Sequence, residues 1–447
     1  MQQAYSWGWV EAQVAQTIEV WHGSASQPAR ATPQYCLKEQ RQREQVYDAA
    51  LREVEHEART APRTRAFTPA SKDRSPGTRA ERLASQDRVT ASFARFAAAA
   101  LDLKGEAIQL LTADFLPVGT KLARWARQFD PTLSMPDIVQ ACRNAWTACG
   151  LQPLLGEPVA LTPSILGYSL LYPYTDNFLD RVDVSAEAKH SFSKRFSERL
   201  RGESLAPQSD HESALWQLVS LIEGQYSRDL FPQVFDCLLA IHRAQEQSIA
   251  QLNSAQTWAP AELLQMSCAK GGSSVLADAC LARGWLSPQE SRFAFEWGVL
   301  LQLGDDLQDV REDLLRGSVT LFSGAAALGT PLDALATQLL SFGGQVADRM
   351  DALPNGKPML KELLRMSWRS LIVGAVADSH QFFTPEFLAE AERTSPFRFA
   401  FLRARRDRLA GRQGLYVKLF DAFLELPEDD DTTLPRTIPA SVALDCA

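Results

Sequence analysis

No uninterrupted apolar stretch of about 18 residues occurs anywhere in the 447 residues, so nothing reads as a membrane-spanning helix. The opening residues, Met-Gln-Gln-Ala-Tyr-Ser-Trp-Gly-Trp, lack a basic region followed by an apolar one, which argues against a secretory leader. Cysteine is used without pattern. Cys36, Cys142, Cys149, Cys237, Cys268, Cys280 and Cys446 are odd in number and form no CxxC and no Cys/His pairing. They point to reduced, mostly buried thiols and hence to a cytoplasmic, soluble protein. The 46 Lys and Arg are not gathered into a stripe and are outnumbered by 54 Asp and Glu, for a net charge of −8, so nothing favours nucleic-acid binding. Strand-like alternation is scarce, and the lack of a fixed-period repeat argues against a helical solenoid.

What the chain does contain is helix. Its hydrophobic content of 45% is ample for a core. Residues 36–60 favour a helix, and residues 60–86, with three prolines among Arg, Ser and Thr, read as a linker. From about 90 to 426 almost every segment is helical. Residues 427–447, which include Glu428-Asp-Asp-Asp431, read as a disordered acidic tail. Ser185, the Ser287-Pro-Gln-Glu290 capping box and Thr384-Pro start helices, while Gly317 and Pro354-Asn355-Gly356 end them. Pro173 should kink or break its helix. The expectation is an all-α chain: an extension over 1–89, partly helical and partly linker, then one large bundle of about ten to twelve helices over 90–426.

Two acidic clusters interrupt apolar helical segments. Asp176, Asp180 and Asp183 are spaced i, i+4, i+7, following Ile165-Leu-Gly-Tyr-Ser-Leu-Leu-Tyr172. Asp305, Asp309 and Asp313 are spaced i, i+4, i+8, with Asp306 beside them, following the apolar run Phe293–Leu303. Each trio should project from one helix face, where like charges repel. Burial sharpens that repulsion unless a cation relieves it. A hard divalent ion such as Mg²⁺, which takes one or two carboxylates and completes its octahedron with water and phosphate oxygens, has the right chemistry. Acidic runs on helices are more often solvated faces, but these flanks are too apolar for surface helices. Lys270, in the segment Leu263-Leu-Gln-Met-Ser-Cys-Ala-Lys270, is costly to bury without an anion; the alternative partner is one of the nearby aspartates.

These residues resemble a known set. Gln302-Leu-Gly-Asp305-Asp306-Leu-Gln-Asp309 is similar to the second aspartate-rich motif of trans-prenyl diphosphate synthases. Read on through Glu312 and Asp313, it also resembles the corresponding motif of squalene and phytoene synthases. Asp305, Asp309 and Asp313 fall on the three ligand positions of the metal triad of class I terpene cyclases, with aspartate throughout. Asp176-Asn-Phe-Leu-Asp180 resembles the first aspartate-rich motif with Asn177 in place of its second acid, and Lys270 resembles a diphosphate-holding lysine. The family implied is the class I isoprenoid synthases, and the resemblance covers residues 160–325.

Departures set the subfamily apart. There is no Gly-Gly-Lys segment, Arg181 stands alone after the first motif, Leu179 replaces a glutamate, and Ser267-Cys268 replaces a Tyr-Cys pair. The combination looks most like a terpene synthase on a prenyl-synthase-like scaffold. The resemblance then implies two or three Mg²⁺, with Mn²⁺ an acceptable substitute. Their ligands would come from Asp176, Asp180, Asp183, Asp305, Asp306, Asp309 and Asp313, with Asp176, Asp180, Asp305, Asp309 and Asp313 central to catalysis. Lys270, Gln302, Arg228 and Arg316 would bind the diphosphate of an allylic substrate. Tyr172, Phe178, Phe295 and Trp297 could line a dry pocket that steadies positive charge. A homodimer is compatible with the reading. Other readings stay open: a condensing or chain-elongating prenyltransferase; a carboxylate di-iron bundle built on Glu53…His56 and Glu187…His190; and a helical scaffold without catalysis.

Overall fold

The computed structural model describes residues 4–26, 32–60, 79–101, 103, 105–181, 183–249 and 258–410. Residues 61–78 of the expected linker, the whole acidic tail and Cys446 lie outside the described residues. The chain is all α, with no strand among the described residues. Its helices are α1 (Trp7–Ser24), α2 (Leu37–Thr60), α3 (Arg79–Leu101), α4 (Glu106–Gln109), α5 (Leu116–Phe129), α6 (Met135–Leu151), α7 (Pro163–Asp180), α8 (Ala186–Leu200) and α9 (Asp210–Gln225). There follow α10 (Pro232–Ser248), α11 (Pro260–Arg283), α12 (Pro288–Gln308), α13 (Val310–Arg316), α14 (Leu321–Ala327), α15 (Asp333–Ala352), α16 (Pro358–Asp378), α17 (Pro385–Arg393) and α18 (Phe399–Ala410). They outnumber the helices expected, because short turns such as α4, α13 and α14 separate longer rods.

The helix starts are written in the sequence. Ser185 accepts from the Ala188 amide and Thr384 from the Phe387 amide, while Ser287 and Glu290 complete a capping box at α12, each satisfying amides that a helix start leaves unpaired. Gly317 ends α13 in the left-handed region at φ 73°, where a side chain would be strained. Helix α7 runs unbroken across Pro173, contrary to the expected break. Leu166, Leu170 and Leu171 before it and Leu179 after it are buried, and that packing holds the rod together.

The centre of the molecule is the pair α11 and α12. They cross at glycines: a Cβ on Gly298 would lie 2.0 Å from the Gly271 carbonyl oxygen, and one on Gly271 would lie 2.6 Å from the Gly298 carbonyl oxygen. Backbones this close leave no room for side chains, so the crossing fixes the register of both helices. Lys270 and Gln302 flank it. Helices α10, α6 and α1 pack on α11, while α15 and α16 pack on α12, and α7 lies against α6 and α9. The core is continuous, with Ile165, Leu276, Phe293, Phe295, Leu303 and Phe342 fully buried.

The described parts of residues 1–89 are not a loose extension. Helix α1 packs on α11, α12 and α15, with the Tyr5 hydroxyl 2.5 Å from Ser291 Oγ and the Gln338 amide donating to the Trp21 carbonyl at 2.7 Å. Helix α2 is tied to the carboxy-terminal end by Gln40, which donates to the carbonyls of Glu392 and Ser395, and by the Glu44–Arg398 ion pair. Residues 79–86, expected in the linker, are helical and begin α3, which pairs with α2 through Arg95–Glu53 and Arg88–Glu57. The Arg95 pair occupies Glu53, one carboxylate of the di-iron alternative, and among the described residues no three His, Cys, Asp or Glu side chains are already drawn together tightly enough to hold a metal ion. Five cysteines are buried and Cys36 is exposed. No helix among the described residues is long and apolar enough to cross a membrane.

Candidate functional site

The first acidic cluster lies near the carboxy-terminal end of α7, and the second runs from the last turn of α12 into the first turn of α13. Asp176 is just before the last turn of α7, and Asp305 and Asp306 are in the last turn of α12, with no basic residue in either turn; Asp309 caps α12 and starts α13. A helix carries partial negative charge at its carboxy-terminal end, so Asp305 and Asp306 add to it instead of offsetting it. The sequence reading registered the repulsion between acids but not this second penalty.

The two ends meet in one cleft of ≈ 180 Å³. Helix α7 supplies Asp176, α10 supplies Gln245 and Ser248, α11 supplies Ser267 and Lys270, and α12 supplies Gln302, Asp305, Asp306 and Asp309. Asp313, Ser318 and Thr320 complete the lining. The helix bends at Asp309 (φ −93°, ψ 4°), yet the Asp309 amide still donates to the Asp305 carbonyl at 2.9 Å and the Asp313 amide to the Asp309 carbonyl at 2.8 Å. The i, i+4, i+8 face therefore survives the change from α12 to α13, and all three carboxyl groups line the same wall.

Hydrogen bonds hold the carboxyls in place. Gln302 and Ser267 donate to the two oxygens of Asp306 at 2.8 and 2.7 Å. Gln245 donates to Asp176 at 2.6 Å, and the Tyr172 hydroxyl also bonds to Asp176. Thr320 reaches Asp313 at 3.5 Å. Even so, the cluster is short of positive charge. Burial lifts Asp305 from its ordinary 3.8 to about 6, with Asp306 and Asp309 adding to the rise and Arg143 and Lys270 opposing it. Asp313 is lifted to about 7 by burial and by repulsion from Asp306 and Asp309. Burial raises Asp306 and Asp309 as well. Lys270 is half-buried and, among the described residues, makes no ion pair; the alternative of an internal salt bridge to an aspartate is not formed.

Other expected residues are elsewhere. Helix α7 stops at Asp180, so Asp183 does not share the Asp176 face; it is 63% exposed and pairs with Arg181. Its i+7 spacing assumed one more helical turn than forms. The side chain of Asp180 lies outside the described residues. Arg228 is spent on structure: it pairs with Glu223, donates to the Leu200 carbonyl at the end of α8, and stacks 3.8 Å over the Phe235 ring. Arg316 pairs with Glu312 and is 72% exposed, off the cleft lining. Phe295 and Trp297 are buried core, Phe295 beneath Trp9 and Trp297 beside Phe293, and Phe178 packs with Phe192 and His211. Of the four aromatics named from sequence, only Tyr172 comes near the cleft, lining a small annex of ≈ 20 Å³ that shares Gln245 with it.

Several participants were missed. Ser267 is three residues from Lys270 on the same face of α11, a signal the spacing carries. Gln245 had none, as its partner Asp176 is 69 residues distant. Arg143 of α6, 65% exposed and 3.9 Å from Asp305 Oδ1, reads in the sequence as any surface arginine. The chain matches no protein-family model and no curated protein.

Proposed function

We propose that this cleft binds divalent cations, most simply Mg²⁺, together with the diphosphate of an allylic isoprenyl substrate, and that the protein is a class I terpene synthase. The observation that carries the reading is the gathering of Asp176, Asp305, Asp306, Asp309 and Asp313 with a lysine lacking an ion-pair partner in one cleft. The donor set fits a hard cation. All the acids are oxygen ligands, their raised carboxyls are stabilised by added positive charge, and Mg²⁺ needs only one or two carboxylates per ion, so the lack of a converged three-ligand group is no obstacle. When bound, Mg²⁺ would draw electron density from the diphosphate and stabilise it as a leaving group.

The chain's own residues then have separate tasks. Asp176 approaches from one side and Asp305, Asp309 and Asp313 from the other, so cation and diphosphate would be gripped between α7 and the α12–α13 wall. Lys270 would meet the charge that develops on the departing oxygen, where a preset cation is worth most. Gln302 and Ser267 orient Asp306, and Gln245 and Tyr172 orient Asp176. An isoprenyl chain is far larger than the ≈ 20 Å³ annex, so productive binding requires the side chains between α7, α8 and α10 to part.

The test is incubation with Mg²⁺ and geranyl, farnesyl, geranylgeranyl and longer diphosphates singly, then with isopentenyl diphosphate, followed by product analysis. A hydrocarbon or alcohol from one substrate alone supports the reading. A longer diphosphate or a dimeric hydrocarbon would instead mark a prenyltransferase. Diphosphate untouched throughout would return the molecule to a helical scaffold.

A further inference from the structure

The annex that shares Gln245 with the cleft holds one group with no task in the site described above. His242 of α10 is 2% exposed and lines it, with Leu171, Phe196, Leu238 and Ile241 as apolar neighbours. Its Nε2 lies 3.1 Å from the Ser193 carbonyl oxygen and 3.0 Å from Ser193 Oγ. The carbonyl can only accept. The Ser193 hydroxyl donates its proton to Glu246 Oε1, so toward His242 it too can only accept. Both neighbours of Nε2 therefore need a proton from it, which places the ring N–H on Nε2 and leaves a bare lone pair on Nδ1. That Nδ1 is buried and without a partner.

A buried acceptor left unpaired is destabilising unless something uses it. Water is a poor occupant. No water-sized space reaches Nδ1 as the side chains stand, and a buried water needs two to four polar partners. The other polar side chains are engaged: Thr175 donates to the Leu171 carbonyl, Gln245 and Tyr172 bond to Asp176, and Tyr168 bonds to Ser274. A methyl or methylene group suits the apolar walls.

We infer that His242 is the proton acceptor that ends the reaction, an assignment that rests on the terpene synthase reading. The allylic C–O bond breaks with its electron pair leaving on the diphosphate oxygen. A C–H bond next to the cationic carbon, brought against Nδ1 once the side chains around the annex have parted, then breaks. Its electron pair becomes the new C=C bond and its proton joins the Nδ1 lone pair, giving a neutral olefin and an imidazolium. The proton is returned to solvent or to the released diphosphate before the next cycle. The hydrogen bonds of Nε2 to Ser193, themselves anchored by Glu246, are well placed to stabilise that positive ring.

The test compares the wild-type protein with His242→Leu, which keeps bulk and removes the lone pair, measuring diphosphate release and product composition separately. His242→Leu is expected to hold diphosphate release within about threefold of wild type. It is expected to lower the olefin-to-alcohol ratio by about a hundredfold, as the cation waits for water. An unchanged ratio overturns the role of His242 while leaving the terpene synthase reading intact. An alcohol as the wild-type product overturns it as well, since the annex would then deliver water. If no allylic diphosphate is consumed by wild type, both readings fall. Should His242→Leu not fold, ¹⁵N-histidine NMR of the wild-type protein still decides: a protonated Nε2 with bare Nδ1 is expected, and a proton on Nδ1 rules out the assignment.

Discussion

At the scale of single residues, the cleft is an accumulation of negative charge with too little to answer it. Lys270→Ala should lower turnover by about two orders of magnitude, as expected for loss of a charge at a developing oxyanion, with far-UV circular dichroism unchanged. Unfolding of that variant, or unaltered turnover, would make the lysine structural. Asp309→Asn should abolish turnover with only partial rescue by extra Mg²⁺. The pH dependence follows from the raised carboxyls. A group whose folded value lies above its ordinary 3.8 holds its proton longer in the folded state, so the metal-free protein should lose stability as pH rises through about 6 and about 7, the values of Asp305 and Asp313. The Asp305 side chain is 44% exposed, so screening keeps that loss small. Mg²⁺ affinity should run the other way, weakening as pH falls through the same window, because binding displaces protons; a flat affinity in calorimetry would contradict it. The sequence carried the identities of Asp176, Asp305, Asp306, Asp309, Asp313, Lys270 and Gln302. It could not carry Gln245 or Arg143, whose roles exist only once distant helices meet, nor foresee that Glu223 would claim Arg228.

At the scale of helices, the site depends on the crossing of α11 and α12. Gly298→Ala would drive its Cβ to 2.0 Å from the Gly271 carbonyl oxygen, against backbone that cannot yield. Overpacking of this kind should destabilise by about 1–3 kcal/mol or more and spoil the cleft, since Lys270 and Gln302 flank the contact. Gly374→Ala, in α16 with nothing within 4 Å of the added carbon, should instead stabilise by about 0.5–1 kcal/mol. Thermal unfolding of the pair checks both signs, and equal melting temperatures would refute the crossing argument. Helix starts such as Ser287-Pro-Gln-Glu290 were legible because capping is local chemistry. The continuity of α7 across Pro173 was not, because tertiary packing outweighed a local break signal. The end of α7 at Asp180, which strands Asp183, was missed for the opposite reason: no glycine or proline marks a stop there.

At the scale of the whole molecule, the all-α class was legible from scarce alternation and regular caps, but not the attachment of the first helices. Tyr5, Val10 and Trp21 of the amino-terminal region are buried against the bundle, and α2 is locked to the carboxy-terminal end by Glu44–Arg398. Deleting residues 1–60 should therefore abolish the cooperative unfolding transition, whereas an unchanged melting temperature would restore the picture of a detachable extension.

The claim that joins these scales is that the cleft is a cation-dependent diphosphate site. Calorimetric titration of inorganic diphosphate into the protein tests it without assuming any isoprenoid chain. Binding is expected in the presence of Mg²⁺, lost without it, and lost again when Asp305 and Asp309 are both replaced by Asn. Binding that ignores Mg²⁺, or survives that double replacement, would contradict the account, as would no binding under any condition.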